Sequence, residues 1–141
     1  MDDYDLERFV AAQDAGGTYE TALAELRRGR KTGHWIWFVF PQIAGLGSSP
    51  TAARYAISSL DEAQAYLAHA VLGPRLRECA RLVAQVEGRS ITQIFGSPDD
   101  LKLRSSMTLF ARATSDNDVF VAVLEKYYGG EEDPLTAARL S

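Results

Sequence analysis

One short stretch of the chain, running from His34 through Trp35 and Trp37 to Gln42, gathers one of the two histidines and both tryptophans. An imidazole titrating near neutral pH suits proton transfer, and an indole face suits the stacking of a planar ring. A second candidate is Lys102 with Ser105 and Ser106. Their i, i+3, i+4 spacing puts them on one side of a helix, where an ammonium and two hydroxyls can converge on an anion or a carbonyl. If the two segments meet, Trp35, Trp37, Gln42, Lys102, Ser105 and Ser106 would border a cleft for a small, anionic, ring-containing ligand, with a nucleotide-like compound as one example. His34 is then the first choice for a general acid or base, because no other group in the set titrates near pH 7.

Structural roles for the same residues stay open. The tryptophans suit a core helix with a polar-tipped entrance, and serines inside helices commonly bond back to their own backbone. Asp99 and Asp100 complement the positive end of a helix dipole. The competing reading of function is a helical interaction module, whose apolar faces join another protein or a second copy. Convergence of both segments on one solvent-reachable cleft would favour the ligand reading, and a buried His-Trp segment without a cleft would favour the module.

Other chemistry is poorly represented. Arg27-Arg28-Gly29-Arg30-Lys31 concentrates positive charge, but at a helix C-terminus cations complement the dipole, and a solvated helix end is expected. Gly45-Leu46-Gly47 lacks the third glycine and the preceding strand of a dinucleotide fingerprint, and no phosphate-loop motif occurs. With two histidines and one cysteine at no metal-ligand spacing, neither a metal nor another cofactor is expected. Cys79 falls in the stripe Leu76, Cys79, Ala80, Val83 and is expected to be buried and structural. His69, at the end of a helix, is expected to cap carbonyls.

The elements that must position these residues read as helices. Leu6, Phe9, Val10 and Gln13 share a face before Gly16-Gly17; Tyr19, Ala22, Leu23 and Leu26 repeat at i, i+3, i+4, i+7, with Thr18 as the expected cap and Gly29 as the stop. The segment from Trp35 to Phe40 has no clear period, so a buried helix and a buried strand both fit the pattern, and the helical neighbours favour a short buried helix ended by Pro41. Ser49 with Pro50 at the first helical position marks a further start. Ser59-Leu60-Asp61-Glu62, Ser97-Pro98-Asp99-Asp100 and Ser115-Asp116-Asn117-Asp118 have the form of capping boxes. Ile91, Ile94 and Phe95 mark a short helix between them. No alternating strand pattern and no repeat is present, so the expected fold is all-α, one compact domain over 1–141 with about eight short helices in an irregular bundle. Its core spans about 5–128, and 129–141 form a tail or short helix.

Composition agrees. The chain has 141 residues, 46% of them hydrophobic, with a net charge of −4, which excludes intrinsic disorder. An acidic chain is not expected to bind nucleic acid or anionic lipid. The apolar stretch from Trp35 to Pro41 is far shorter than the ~20 residues of a membrane span. The acidic start Met1-Asp2-Asp3-Tyr4-Asp5 does not resemble a secretory signal, and the single cysteine fits a reducing compartment. The expectation is a cytoplasmic protein, a monomer or weak homodimer.

From about Leu6 to Tyr127 the chain resembles the bacterial domain of unknown function 1810 family, described also as mycobacterial hypothetical proteins and sometimes labelled calpastatin. The resemblance is carried by Arg8-Phe9-Val10 with Ala12-Gln13, by the His34–Gln42 stretch, by Tyr66-Leu67-Ala68-His69, by Leu72-Gly73-Pro74-Arg75-Leu76, and by the run from Pro98 to Phe110. Ala70 departs from the proline that usually follows the histidine, which bears on the local turn. The resemblance implies a mainly helical fold and supplies no activity. The calpastatin label conflicts with the composition, since such inhibitor segments are disordered before they bind.

Overall fold

Helical periodicity becomes ten α-helices and one 3₁₀ turn (Ala15–Gly17) among the residues that the computed structural model describes, 4–140. In chain order they are α1 (Glu7–Asp14), α2 (Thr18–Arg28), α3 (Ile36–Val39), α4 (Pro50–Arg54), α5 (Leu60–Ala68), α6 (Leu72–Gln85), α7 (Ile91–Phe95), α8 (Asp99–Ala113), α9 (Asp118–Tyr128) and α10 (Pro134–Leu140). The count exceeds the expected eight because short pieces such as α3 and α4 each complete a turn of their own. The ambiguous Trp35–Phe40 segment is helical. No strand occurs among the described residues, and the nearest approach to one is an isolated parallel bridge between Ile43 and Ile57.

The longest helix, α8, occupies the centre and packs against α3, α5, α7, α9 and α10. Leu103, Met107 and Phe110, at i, i+4, i+7, are fully buried on it, as a helix enclosed by neighbours requires. The predicted stripe Leu76, Cys79, Ala80, Val83 faces the same core from α6. A chain of ring contacts crosses the interior: Phe38 meets Tyr55 at 4.8 Å, Phe9 meets Tyr66 at 5.2 Å, and Tyr66 meets Phe110 at 5.3 Å. Such tilted and edge-on pairs add to area burial and fix ring orientation. At the α5–α6 crossing, a Cβ on Gly73 would overlap the Leu67 carbonyl, so only glycine permits that approach.

The caps divide by what competes for the side chains. Ser49 and Ser59 accept the amides of Ala52 and Glu62, as expected, and Ser90 with Gln93 forms a complete capping box. Glu62 does not reach back to Ser59. Its buried carboxylate instead accepts from the Ser58 amide and hydroxyl, and pairs with Arg8 at 3.0 Å. Thr18, Ser97 and Ser115 do not cap. The Thr18 hydroxyl donates backwards to Ala15 O, α8 starts after Pro98 without a side-chain cap, and α9 starts after Asn117, whose side chain donates to Ala111 O. His69 also departs from expectation. Its Nδ1 accepts the amides of Val71 and Leu72 at the start of α6, so it caps the next helix rather than the carbonyls of its own.

Candidate functional site

The turn that delivers the tryptophans is tied down by Glu25. One carboxylate oxygen of this buried residue accepts the amides of Thr32 and Gly33 and the Trp35 indole N–H, at 2.8, 2.9 and 2.9 Å. Burial works against its charge, but these donors outweigh it and hold the carboxyl below its usual range. Trp35, 2% exposed, lies against Phe40 and Phe95 and is therefore a core residue. Lys31 closes the arrangement: its amide donates to Ile94 O, and its ammonium binds Asp99 at 2.6 Å and Gly33 O at 2.5 Å while lying 5.0 Å from the Trp35 ring centre. The last member of the basic run is thus buried and paired rather than solvated. Arg27 fits the solvated reading, exposed and loosely paired with Glu78 at 3.7 Å.

Two residues further on, α3 turns Trp37 to another side, because positions i and i+2 of a helix diverge. Trp37 is half-buried, and the Lys102 ammonium lies 5.1 Å from its ring centre, within cation–π range. Lys102 is also 3.6 Å from Asp99, so one carboxylate serves two lysines and leaves a surplus positive charge beside the indole. Trp37 and Gln42 line a cavity of about 300 Å³, whose other walls come from the Ile43–Gly47 segment, from Ala52 and Ala53 of α4, and from Tyr55 just after it. Among the described residues, neither the Gln42 side-chain amide nor the Trp37 indole N–H is hydrogen-bonded to another protein group.

The family model for a protein of unknown function, DUF1810, matches residues 3–140. The chain belongs to the DUF1810 family. The conserved hypothetical protein Rv1873 from Mycobacterium tuberculosis, known from its crystal structure, is similar to this chain at 67% identity with a TM-score of 0.95, over 97% of this chain and 96% of that one. Among curated proteins, none matches this chain. The resemblance carried by the His34–Gln42 and Pro98–Phe110 runs therefore holds, and so does the all-α fold it implies. For a DUF1810 protein, the family supplies architecture and leaves the chemistry to the site.

In this DUF1810 chain the residues expected to share one cleft are distributed over several places. Trp37 and Gln42 line one cavity, and Lys102 lies over the Trp37 ring without lining that cavity. His34 is exposed at a separate, shallower cleft of about 180 Å³ on the other side of α3, with Thr18, Thr21, Trp35 and Phe38. Ser105 and Ser106 are neighbours on α8 and so point about 100° apart. Ser105 donates to Leu101 O and to Asp133 Oδ2, both at 3.2 Å, and is spent on holding the C-terminal segment. Ser106, one turn from Lys102, is fully buried and its hydroxyl has no hydrogen-bond partner.

Three residues that hold the turn around Trp35 carried no functional signal in the sequence. Glu25 sits beside Ala22 and Leu26 on an otherwise apolar face, which is the structural signal that could have marked it. Asp99 passed for a dipole residue, and Lys31 for the end of a charged run. Among the described residues there is no group of three or more histidine, cysteine or acidic side chains able to hold a metal, and no helix is long and apolar enough to cross a membrane.

Proposed function

We propose that this protein binds a small molecule carrying a planar ring in the cavity bordered by Trp37, Gln42 and Tyr55. The observation that carries the reading is the pairing of a half-buried indole, held under the Lys102 ammonium, with an unpartnered carboxamide in the same cavity. Packing alone calls for neither. An apolar pocket with a few convergent polar groups is the usual form of a small-molecule site. The indole and the Tyr55 ring supply stacking surface, and Gln42 matches a donor-acceptor edge.

Binding rather than bond-breaking is the function this lining supports. Tyr55 is its only titratable residue, and His34, the expected acid or base, belongs to the other cleft. The interaction-module reading gains little support: Leu101 and Leu135 are exposed apolar side chains, and isolated ones are ordinary on a soluble surface.

The test is a fluorescence titration with nucleosides, nucleotides and other ring-bearing metabolites. A ligand of this site should quench the emission of the wild type and lose that response in Trp37→Phe, which retains the buried Trp35 as an internal reference. Gln42→Ala should weaken binding about tenfold, the equivalent of one hydrogen bond of ~1.4 kcal/mol. Hits that bind both variants as tightly as the wild type would refute the assignment.

A further inference from the structure

On the far side of the Ile43–Ala44 segment lies a second cavity, of about 310 Å³, lined by Ile43, Ala44, Ser58, Ser59, Leu60, Arg139 and Leu140. It shares Ile43 and Ala44 with the Trp37 cavity, and the segment between the two is fixed by hydrogen bonds from Ala44 N to Ile57 O and from Ile57 N to Gln42 O, both 2.8 Å. Its lining differs in kind from that of the first. Arg139 uses one Nη2–H on Gly45 O at 3.3 Å, and its remaining donors have no acceptor among the described residues. Ser59 accepts the Glu62 amide and so keeps its own O–H to donate. Among the described residues no carboxylate lines the cavity. The nearby Glu62 is neutralised at Arg8 and turned towards Ser58. A guanidinium with spare donors beside a free hydroxyl, with no competing acid among the described residues, is matched to an oxyanion.

We propose that this second compartment holds the phosphate, sulfate or carboxylate of the ligand whose ring occupies the Trp37 cavity, so that the ligand is bipartite and straddles the Ile43–Ala44 segment. The proposal rests on the ring reading above and adds the group that would carry the negative charge. It assigns that charge to Arg139 rather than Lys102, whose ammonium is already shared between Asp99 and the indole. Gly45 is part of the device. Its φ of +95° and its missing side chain let Arg139 lie against it, where a Cβ would overlap the guanidinium.

The test has two arms on the full chain. In the first, inorganic phosphate is titrated into the ¹⁵N-labelled protein. Saturable shifts are expected at the amides of Ser58, Ser59 and Gly45 and at the Arg139 Nε–H, with affinity falling at least tenfold in Arg139→Gln. Gly45→Ala, which keeps the charge but displaces it, should weaken phosphate as well. In the second, a nucleoside is compared with its monophosphate by tryptophan fluorescence. The monophosphate should bind about tenfold tighter to the wild type and with no advantage to Arg139→Gln. Absence of saturable shifts at Ser58 and Ser59, or shifts that survive Arg139→Gln, overturns the proposal. A monophosphate advantage lost in Lys102→Ala but kept in Arg139→Gln overturns it too. Phosphate that titrates Ser59 and Arg139 while every nucleoside leaves Trp37 unmoved overturns the ring reading and leaves the oxyanion compartment standing.

Discussion

Removing the Glu25 carboxylate tests whether the turn before α3 is held as described. Glu25→Ala strips the acceptor from three donors at once: the Trp35 indole N–H inside the core and the amides of Thr32 and Gly33 near the surface. An unsatisfied buried donor costs ~1–3 kcal/mol. Trp35 bears that in full, whereas Thr32 is exposed and Gly33 half-buried, so their amides can turn to water at small cost. The sum is about 3 kcal/mol. For a chain of this size each kcal/mol lowers Tm by ~2–4 °C, so the expected fall is roughly 6–12 °C by circular dichroism. Glu25→Gln keeps an acceptor oxygen but loses the charge, and should cost about half as much.

The pH dependence follows from the sign of the shift. A carboxyl held below its ordinary value of 4.5 contributes stability that is complete above that pH. The contribution is lost as pH falls through the depressed value. The gap in stability between wild type and Glu25→Gln should therefore be constant near neutrality and close in acid. A Glu25→Ala protein within ~1 kcal/mol of wild type, or a gap that widens in acid, would refute the account.

Burial pushes the Cys79 thiol up to about 12, so a water-soluble alkylating reagent at pH 8 should leave the native protein unmodified and label it promptly in denaturant. Ser106→Ala removes a buried hydroxyl without a partner, and should leave Tm unchanged or raise it by the equivalent of up to ~1 kcal/mol; a clear loss of stability would mean that the hydroxyl is satisfied by an ordered water. Asp99→Asn strips the carboxylate charge from Lys31, whose side chain is buried while Asp99 is partly exposed, and the loss of a charge-assisted hydrogen bond costs ~1–3 kcal/mol, which chemical denaturation would register as a lower midpoint at unchanged slope. Gly45→Ala imposes a left-handed backbone on alanine and should cost about 1 kcal/mol, a drop of a few degrees in Tm.

Periodicity carried the fold because the apolar stripes of α1, α2, α6, α8 and α9 recur at helical spacing despite a few buried polar members such as Glu25 and Ser106, and each is bounded by glycine, proline or a polar turn. The caps were less legible. Whether a serine caps depends on where its helix begins in three dimensions, and Ser97 and Ser115 lie ahead of helices that start after Pro98 and Asn117. The candidate site was half legible. Trp37, Gln42 and Lys102 stand out as aromatic, amide and cationic types, and the structure puts Gln42 in one cavity with Trp37 and Lys102 over the Trp37 ring. His34 and Trp35 were grouped with them by closeness in sequence, which a helical turn undoes within two residues, and Ser105, grouped by its helical spacing from Lys102, is engaged by Leu101 O and Asp133 instead. Arg139 gave no signal at all. A lone arginine in a short terminal helix acquires meaning only from a partner, Gly45, far along the chain.

That separation bears on how the protein is made and handled. The wall formed by α10 is knotted to α8 at Asp133, whose carboxylate takes the Thr136 amide and hydroxyl as well as Ser105, while its amide donates to Thr108. During translation the Gly45 loop leaves the ribosome 94 residues ahead of Arg139. The Trp37 cavity is therefore synthesised long before its neighbour gains a cation. Clipping by a protease between Gly130 and Pro134 would produce a chain that keeps α1–α9 and both tryptophans yet lacks Arg139, and intrinsic fluorescence would be a poor witness to the loss.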